Sequence, residues 1–386
     1  MKIIKPTVLR DVSVFDKKHQ LGKGTYGDVF MGSDRETKEI VALKKINTEQ
    51  ESNYGFPITT IREVKILKAL THVNIVKLKE IVTSKEQRDD VSENNTIPKS
   101  VYLVFEYHEF DLTGILGTRQ IHFTQDHIKS WSMQLLQGVH YMHVNKIIHR
   151  DLKAANILIG RNGELKIADW GLARTWNERM EKLTNPVITL WYRPPELLLG
   201  CKKYSPKIDM WSVGCIIAEM FRRTGLLTGT NDASQLDLIF KTLGHPTVGD
   251  FPEIHELCPQ WTKLQPKNEE STLKCRLRET LKQNLPNPRW VTENAITLIQ
   301  NLLAYNPAKR WSAMKACQEA EYFYEAPSFK PAKDLCMKFG VDAAHEWGLP
   351  SRQMAERHFQ QRKLNGGGVV NGSRPVVNNK KPKPPI

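Results

Sequence analysis

Cysteine is scarce in this 386-residue chain, and its six copies, at 201, 215, 258, 275, 317 and 336, form no Cys-x-x-Cys pair. Zinc sites and the disulfide frameworks of small secreted domains need closer, repeated spacing. The six therefore read as reduced core or surface thiols of a cytosolic or nuclear protein. No apolar run is long enough to cross a bilayer, and Met1-Lys2-Ile3-Ile4-Lys5-Pro6 lacks the apolar core of a secretion signal, so neither a membrane protein nor a secreted one is expected. Outside the secretory route the acceptor patterns Asn94-Asn95-Thr96 and Asn371-Gly372-Ser373 should stay unmodified. Also missing is a Gly-Lys-Ser or Gly-Lys-Thr at the distance from a glycine that a phosphate-binding P-loop requires, which excludes that class of nucleotide site.

Acid is in short supply as well: 56 Lys and Arg face 42 Asp and Glu, a formal charge of +14. Residues 330–386 alone hold eleven basic residues against four acids, half of the excess. From Gly366-Gly367-Gly368 to Lys380-Lys381-Pro382-Lys383-Pro384-Pro385 the chain is rich in Gly, Asn, Pro and Lys. With so few large apolar residues it cannot build a core, and 365–386 is expected to be disordered. The cluster Lys380 to Lys383 suits a nuclear-import signal, a nucleic-acid contact or a merely soluble tail. The length exceeds the roughly 250–300 residues at which one core divides, so two lobes and an appendage are expected.

What is present is most informative at His149-Arg150-Asp151-Leu152-Lys153, followed by Asn156 and by Asp169-Trp170-Gly171. Phosphoryl transfer needs one carboxylate (Asp151) to accept a hydroxyl proton, plus an amide (Asn156) and a second carboxylate (Asp169) to hold magnesium against the triphosphate. Lys153 can neutralise the moving phosphoryl group. Between them Ile157-Leu158-Ile159 and Leu165-Lys166-Ile167-Ala168 read as strands joined by a turn at Arg161-Asn162-Gly163, a hairpin that brings Asn156 and Asp169 to one rim. Upstream, Leu21-Gly22-Lys23-Gly24-Thr25-Tyr26-Gly27-Asp28-Val29 places glycines where a hairpin must bring its backbone against phosphates. A dinucleotide site would need a helix at the last glycine; here β-rich runs flank the glycines. The next strand, Val41-Ala42-Leu43-Lys44, ends in a lysine that needs a carboxylate to orient it. Glu63, among Ile61, Val64, Ile66, Leu67 and Leu70 of an amphipathic helix, is the candidate.

With these motifs in this order the sequence resembles the eukaryotic protein kinase family over about residues 15–325. Trp191-Tyr192-Arg193-Pro194-Pro195-Glu196 is similar to the end of that family's activation segment, and Asp209-Met210-Trp211-Ser212-Val213-Gly214 to its buried large-lobe helix. The resemblance implies an ion pair between Glu196 and Arg310. Gly55-Phe56-Pro57-Ile58-Thr59-Thr60-Ile61-Arg62-Glu63 looks like the cyclin-contacting helix of cyclin-dependent kinases, in the form of their transcriptional branch. Val187-Ile188-Thr189-Leu190-Trp191-Tyr192-Arg193 points the same way, as do Val101 to Tyr107 and Asp111-Leu112. A mitogen-activated kinase would carry Thr-x-Tyr where Leu183-Thr184-Asn185-Pro186 stands. The polar stretch from Ser84 to Ser100 reads as a long solvated loop of the kind found in kinases that act on RNA polymerase II repeats. Ala344-His345-Glu346-Trp347 is similar to a His-Glu element that some of those enzymes fold back toward the nucleotide. Two positions depart from the pattern. Trp170 stands where Phe is usual, and Asn306 where an acid commonly precedes the proline.

The resemblance implies an α+β, bilobal protein kinase fold. A small β-rich N-lobe with one regulatory helix spans about 15–106, a mainly helical C-lobe about 111–325, an extension 326–364 and the basic tail 365–386. ATP and Mg2+ are the implied cofactors. Leu21, Val29, Ala42 and Leu158 would sandwich adenine, with Phe105 behind it and the backbone of Glu106, Tyr107 and His108 along its edge. Gly22, Lys23, Gly24, Thr25, Tyr26, Gly27 and Asp28 would cover the phosphates, and Asp111 would lie at the rim. Lys44, oriented by Glu63, would grip the α and β phosphates; Asp151 and Lys153 would act at the hydroxyl, with Asn156 and Asp169 on magnesium. Thr184 is the implied activation phosphosite, faced by Arg62, Arg150 and Arg174. Val187 and Arg193 would shape a pocket for proline after the target Ser or Thr, giving a proline-directed kinase with a cyclin on the Pro57 to Leu70 helix. A transcriptional cyclin and a nuclear location, with RNA polymerase II repeats as substrate, are favoured. A cell-cycle kinase and a catalytically dead cyclin-binding scaffold stay open as alternatives.

Overall fold

The N-terminal part forms β1 (Phe15–Gly24), β2 (Gly27–Asp34) and β3 (Ile40–Ile46), of which β3 is the one rich in β-branched residues. With β4 (Leu78–Ser84) and β5 (Ser100–Glu106) they make one antiparallel sheet in the order β1-β2-β3-β5-β4. The computed structural model describes residues 9–24, 27–46, 58–84, 100–177, 188–201, 204–247, 249–258, 260–266, 272–283, 285, 287–335 and 340–349. Strand alternation sorts β3: Val41 and Leu43 join Phe15, Val82, Tyr102 and Val104 in a small cluster on one face, which leaves Ala42 and Lys44 on the other. Between β3 and β4 comes α1 (Ile58–Ala69), whose buried positions Thr60, Glu63, Ile66 and Leu67 follow helical spacing, so a carboxylate is carried inward with the apolar face. Ile58 and Ile61 stay exposed on that helix. Pro57 and residues 85–99, the stretch expected to be a long loop, lie outside the described residues; β4 ends at Ser84 and β5 begins at Ser100.

The second lobe opens with β6 (Phe110–Asp111) and α2 (Leu112–Gly117), capped by the Asp111 carboxylate on the Gly114 N–H at 2.7 Å. It continues through α3 (Gln125–Val144) and β7 (Ile147–Ile148) to β8 (Ile157–Ile159), β9 (Leu165–Ile167) and β10 (Arg174–Thr175). β8 and β9 are the expected hairpin; they extend β6 into a three-stranded sheet, while β10 pairs with β7. Eight α-helices follow among the described residues. They are α4 (Pro195–Leu198), α5 (Lys207–Arg222), α6 (Asp232–Leu243), α7 (Ile254–Leu257), α8 (Trp261–Leu264), α9 (Leu277–Lys282), α10 (Glu293–Leu302) and α11 (Ala313–Glu319). Every residue of α5 from Ile208 to Phe221 is buried, as befits a helix that is a central post. The larger core is continuous from Ile46, Leu103 and α1 through α3 to α5 and α10.

Arg310 makes the expected pair with Glu196, bidentate at 2.8 and 2.9 Å, both side chains buried. Asn306 does the work of the usual acid: its Oδ1 accepts the Ala308 N–H at 2.9 Å. Trp170 is fully buried. Its indole donates to the Ile167 carbonyl at 3.2 Å and its ring meets His149 edge-on, so the larger side chain has a matched space. The compact unit runs on through Leu349, so the first part of the extension is built into the same body; Pro350–Ile386 is a separate unit outside the described residues. Lys129 of α3 holds the start of that extension through the carbonyls of Glu325 and Pro327.

Candidate active site

Lys44 is the junction of the cleft. Its ammonium donates to both oxygens of Glu63 at 2.9 and 3.1 Å and to Asp169 Oδ1 at 2.9 Å. Burial disfavours the ammonium, but Asp169 and Glu63 outweigh it and hold Lys44 protonated, above its ordinary range. Burial likewise opposes ionisation of Asp169, yet Lys44 overrides it and holds the carboxyl down at about 2. Asp169 sits in the left-handed region at φ 59°, where the β9 strand turns sharply into Trp170–Leu172. Its side chain is 41% exposed, so beyond the lysine it presents carboxylate to the cleft.

Asp151 is oriented from three sides. Lys153 Nζ lies 2.8 Å from its Oδ2, Thr189 donates to its Oδ1 by hydroxyl (2.8 Å) and backbone (3.2 Å), and Asn156 Nδ2 donates to its carbonyl at 2.8 Å. The loop that carries it is tied from below: Asp209 at the start of α5 accepts the backbone N–H groups of His149 and Arg150 at 3.0 Å each. Arg150, at φ 66°, takes a left-handed turn that those bonds enforce. His149 reaches the Ala168 carbonyl at 3.0 Å, linking this loop to the strand before Asp169. Thr189 and Asp209 are roles that motif reading did not supply. Both lie in quoted motifs, but their contacts span 38 to 60 residues and only the fold creates them.

Above this floor the β1–β2 hairpin offers bare backbone. An added Cβ at Gly22 meets nothing within 4 Å, while one at Gly27, φ 152°, would fall 1.8 Å from the Lys45 carbonyl oxygen, so only glycine fits. Thr25 and Tyr26 lie outside the described residues. Leu21, Val29, Ala42 and Leu158 are each part-buried, and Phe105 is buried behind Ala42, its partner in the β3–β5 register. Lys23 and Asp28 pair across the hairpin. Glu106 turns its side chain to the Lys77 N–H (2.8 Å) and Lys166 (3.3 Å). Burial raises the acid, but His108, that N–H and Lys166 hold it at about 2. Asp111 divides its carboxylate between Gly114 and the extension: Oδ2 accepts the Glu346 N–H at 2.7 Å and lies 3.5 Å from His345 Nδ1. Ala344 pairs with Phe110 as a short parallel bridge, and the turn Glu346–Gly348 reaches β1. His345 comes within 6.3 Å of the Tyr107 ring.

The donor set fits ATP and Mg2+. Asp169 and the Asn156 amide oxygen, which accepts no hydrogen bond found among the described residues, are hard oxygen ligands facing an ammonium and a glycine-lined hairpin.

On the substrate side Arg193 donates twice to the Ile188 carbonyl, at 2.9 and 3.2 Å, and once to Asp232 at 2.8 Å. Ile188 is β-branched yet stands at φ 71°, a conformation its neighbours must impose. The carbonyl that Arg193 occupies is Ile188's; Val187, expected beside it, lies outside the described residues, as does Thr184. Arg62, Arg150 and Arg174 do converge. Burial lowers the Arg174 guanidinium from its ordinary range, and Arg150 and Arg62 lower it further by repulsion.

Beneath the pocket Tyr192 donates to Glu219 of α5 at 2.7 Å and lies 3.4 Å from the Ala154 N–H. Burial raises the Glu219 carboxyl to about 7, against the Tyr192 bond and with a small addition from Glu346. The native state therefore favours neutral Glu219. That contribution is complete below the ordinary 4.5 and is lost as pH rises through about 7. Glu219→Gln is expected to flatten the pH dependence of the melting temperature between those limits; a variant with the wild-type slope refutes the assignment.

A glycine hairpin over a lysine, two carboxylates and an amide, set between a β lobe and a helical lobe, defines a phosphotransferase cleft. The protein kinase domain pattern matches residues 15–323. Cyclin-dependent kinase C-1 of Oryza sativa subsp. japonica is 46% identical over 357 residues, 91% of this chain and 66% of that protein. Cyclin-dependent kinase 9 of Danio rerio is 40% identical over 360 residues, 92% of each chain. A chain of the crystal structure of the yeast RNA Pol II CTD kinase CTDK-1 complex matches with a TM-score of 0.71 at 38% identity, covering 86% of this chain and 99% of its own. The chain belongs to the protein kinase family, in its cyclin-dependent, transcriptional branch. The match spans 66% of the rice relative's length, less than two thirds.

Proposed function

We propose that this chain is the catalytic subunit of a cyclin-dependent Ser/Thr kinase that phosphorylates Ser/Thr-Pro sites, with the C-terminal repeats of RNA polymerase II as its nuclear substrate. The observation that carries the reading is the assembled cleft: Lys44 bonded at once to Glu63 and Asp169, opposite an Asp151 braced by Lys153, Thr189 and Asn156. A scaffold without activity has no need of that set. Bound magnesium neutralises charge developing on the transferred phosphoryl group. Lys44 holds phosphate oxygens in place, Asp151 orients the substrate hydroxyl and takes its proton, and Lys153 and Thr189 keep that carboxylate aimed. The choice of a polymerase repeat over a cell-cycle target leans on the branch of the relatives, among them a yeast CTD kinase subunit alpha.

Proline direction has a local cause. Arg193 occupies the Ile188 carbonyl, so a residue after the target that carries a backbone N–H would find it without an acceptor, and proline brings none. A Ser-Pro peptide is expected to exceed its Ser-Ala counterpart about 10-fold or more in kcat/KM. The assay uses the chain purified with its bound cyclin, identified by mass spectrometry, and repeats it without cyclin, where activity should nearly vanish. Equal kcat/KM for the two peptides defeats the proline argument; full activity of a cyclin-free monomer defeats the cyclin dependence.

A further inference from the structure

Two cysteines far apart in sequence meet at the foot of the activation segment. Cys201 Sγ lies 2.8 Å from Cys258 Sγ and 2.7 Å from the Leu257 carbonyl oxygen, across a separation of 57 residues. Cys201 follows α4 and its N–H donates to the Glu196 carbonyl at 2.9 Å, one bond from the Glu196–Arg310 pair. Cys258 ends α7, its N–H on the Ile254 carbonyl at 3.0 Å. The two segments are laced again by the Gln260 N–H on the Leu199 carbonyl at 3.2 Å. Neither sulfur has a role in the chemistry above.

We propose that Cys201 and Cys258 are a site of reversible oxidation, at which hydrogen peroxide converts the touching thiols to an intramolecular disulfide that ties the end of the activation segment to the α7 region. A disulfide needs about 2.05 Å between sulfurs, so the pair must close by about 0.8 Å, and the backbone bonds on both sides already hold the segments in register. The step balances. One sulfur, as thiolate, attacks the O–O bond and releases hydroxide, leaving a sulfenic acid; the other displaces its oxygen as water, for a sum of two thiols and one peroxide giving a disulfide and two waters. At rest both remain thiols. The bond with Cys258 and burial push the Cys201 thiol up from its ordinary range, so the reaction answers sustained oxidant rather than a brief pulse. The disulfide closes a loop that contains α5 and α6, removing freedom from the unfolded chain.

The test uses the full chain, purified reduced, exposed to hydrogen peroxide, alkylated in denaturant and mapped as peptides. The expected product is a Cys201–Cys258 linked pair of peptides, lighter than their sum by two hydrogens and released by dithiothreitol. Exposed Cys275 is the internal control for oxidant. Full alkylation of Cys201 and Cys258 in a sample whose Cys275 has been oxidised overturns the proposal. Oxidised wild type should also melt several degrees above the reduced protein, and Cys258→Ala should lose that shift. A linked pair without any shift overturns the claim that the bond restrains the segment, and the wild-type map decides the chemistry even if the variant does not fold.

Discussion

Asp169→Asn is expected to lower turnover of a Ser-Pro peptide by about 10^3-fold or more while the melting temperature moves by only about 2–4 °C. The two halves have separate physical causes. The fold survives because asparagine matches aspartate in volume and tolerates the left-handed backbone that residue 169 adopts at φ 59°. Lys44 also keeps both oxygens of Glu63, so no buried ammonium is stranded. The chemistry fails because the replaced group carries the charge that opposes Lys44 and faces the cleft. Its carboxyl, held at about 2 by Lys44 against the effect of burial, is ionised throughout the working pH range, and the amide can never be. The measurements are kcat of the cyclin complex and a calorimetric melt on the same preparation. Near-normal turnover, or collapse of the fold with turnover lost only in consequence, counts against the assigned role.

Much of this site was legible because kinase chemistry concentrates in short contiguous motifs. Lys44, Asp151, Asn156 and Asp169 each sit in a run of apolar strand or turn residues whose period places them, and Glu63 follows from helical spacing on α1. The hairpin β8–β9 falls where its turn residues put it. What escaped has a common character: contacts between groups far apart in sequence. Asp209 braces the catalytic loop from the start of α5, and Thr189 aims Asp151; nothing in the spacing of either residue signals the bond. The proline pocket shows the same limit. Arg193 stands in a quoted motif and is proposed for the pocket, but its bond to the Ile188 carbonyl depends on a positive φ that a β-branched residue would not be assigned from propensity. The extension shows it again: Ala344 packs so closely on α2 that a Cβ at Gly114 would lie 2.2 Å from its carbonyl oxygen, a fit that no composition reveals.

Thr184→Ala is expected to lower kcat of the cyclin complex by about 10–100-fold, with little change in KM for ATP. The residue lies between Asp169 and Glu196 in sequence and outside the described part of the structure, so the argument rests on its three arginines. They gather from separate elements: Arg62 on α1, Arg150 in the catalytic loop and Arg174 on β10. Their mutual repulsion lowers Arg174 beyond what burial does, and Arg174 Nε is buried with no hydrogen-bond partner among the described residues. Arg150 is meanwhile held toward the site by the Leu172 carbonyl (2.9 Å) and Tyr204 (3.0 Å). A cluster of like charge with an unmet donor costs stability unless an anion joins it. A phosphate on Thr184 supplies about −1.5 to −2 charge and three acceptor oxygens, enough to engage arginines from both lobes and order the segment that leads to Thr189 and Ile188. None of the three arginines is among the residues proposed to contact ATP (Leu21, Val29, Ala42, Leu158 and Lys44), which is why KM for ATP should hold. Thr189 is a poor rival as phosphosite: its hydroxyl donates to Asp151 at 2.8 Å, and a phosphate there would set a dianion against the catalytic carboxylate. If mass spectrometry of the active complex finds Thr184 unmodified and the alanine variant turns over normally, the anion must come from an acidic residue of the cyclin, and Arg174→Ala should then weaken cyclin binding instead of kcat.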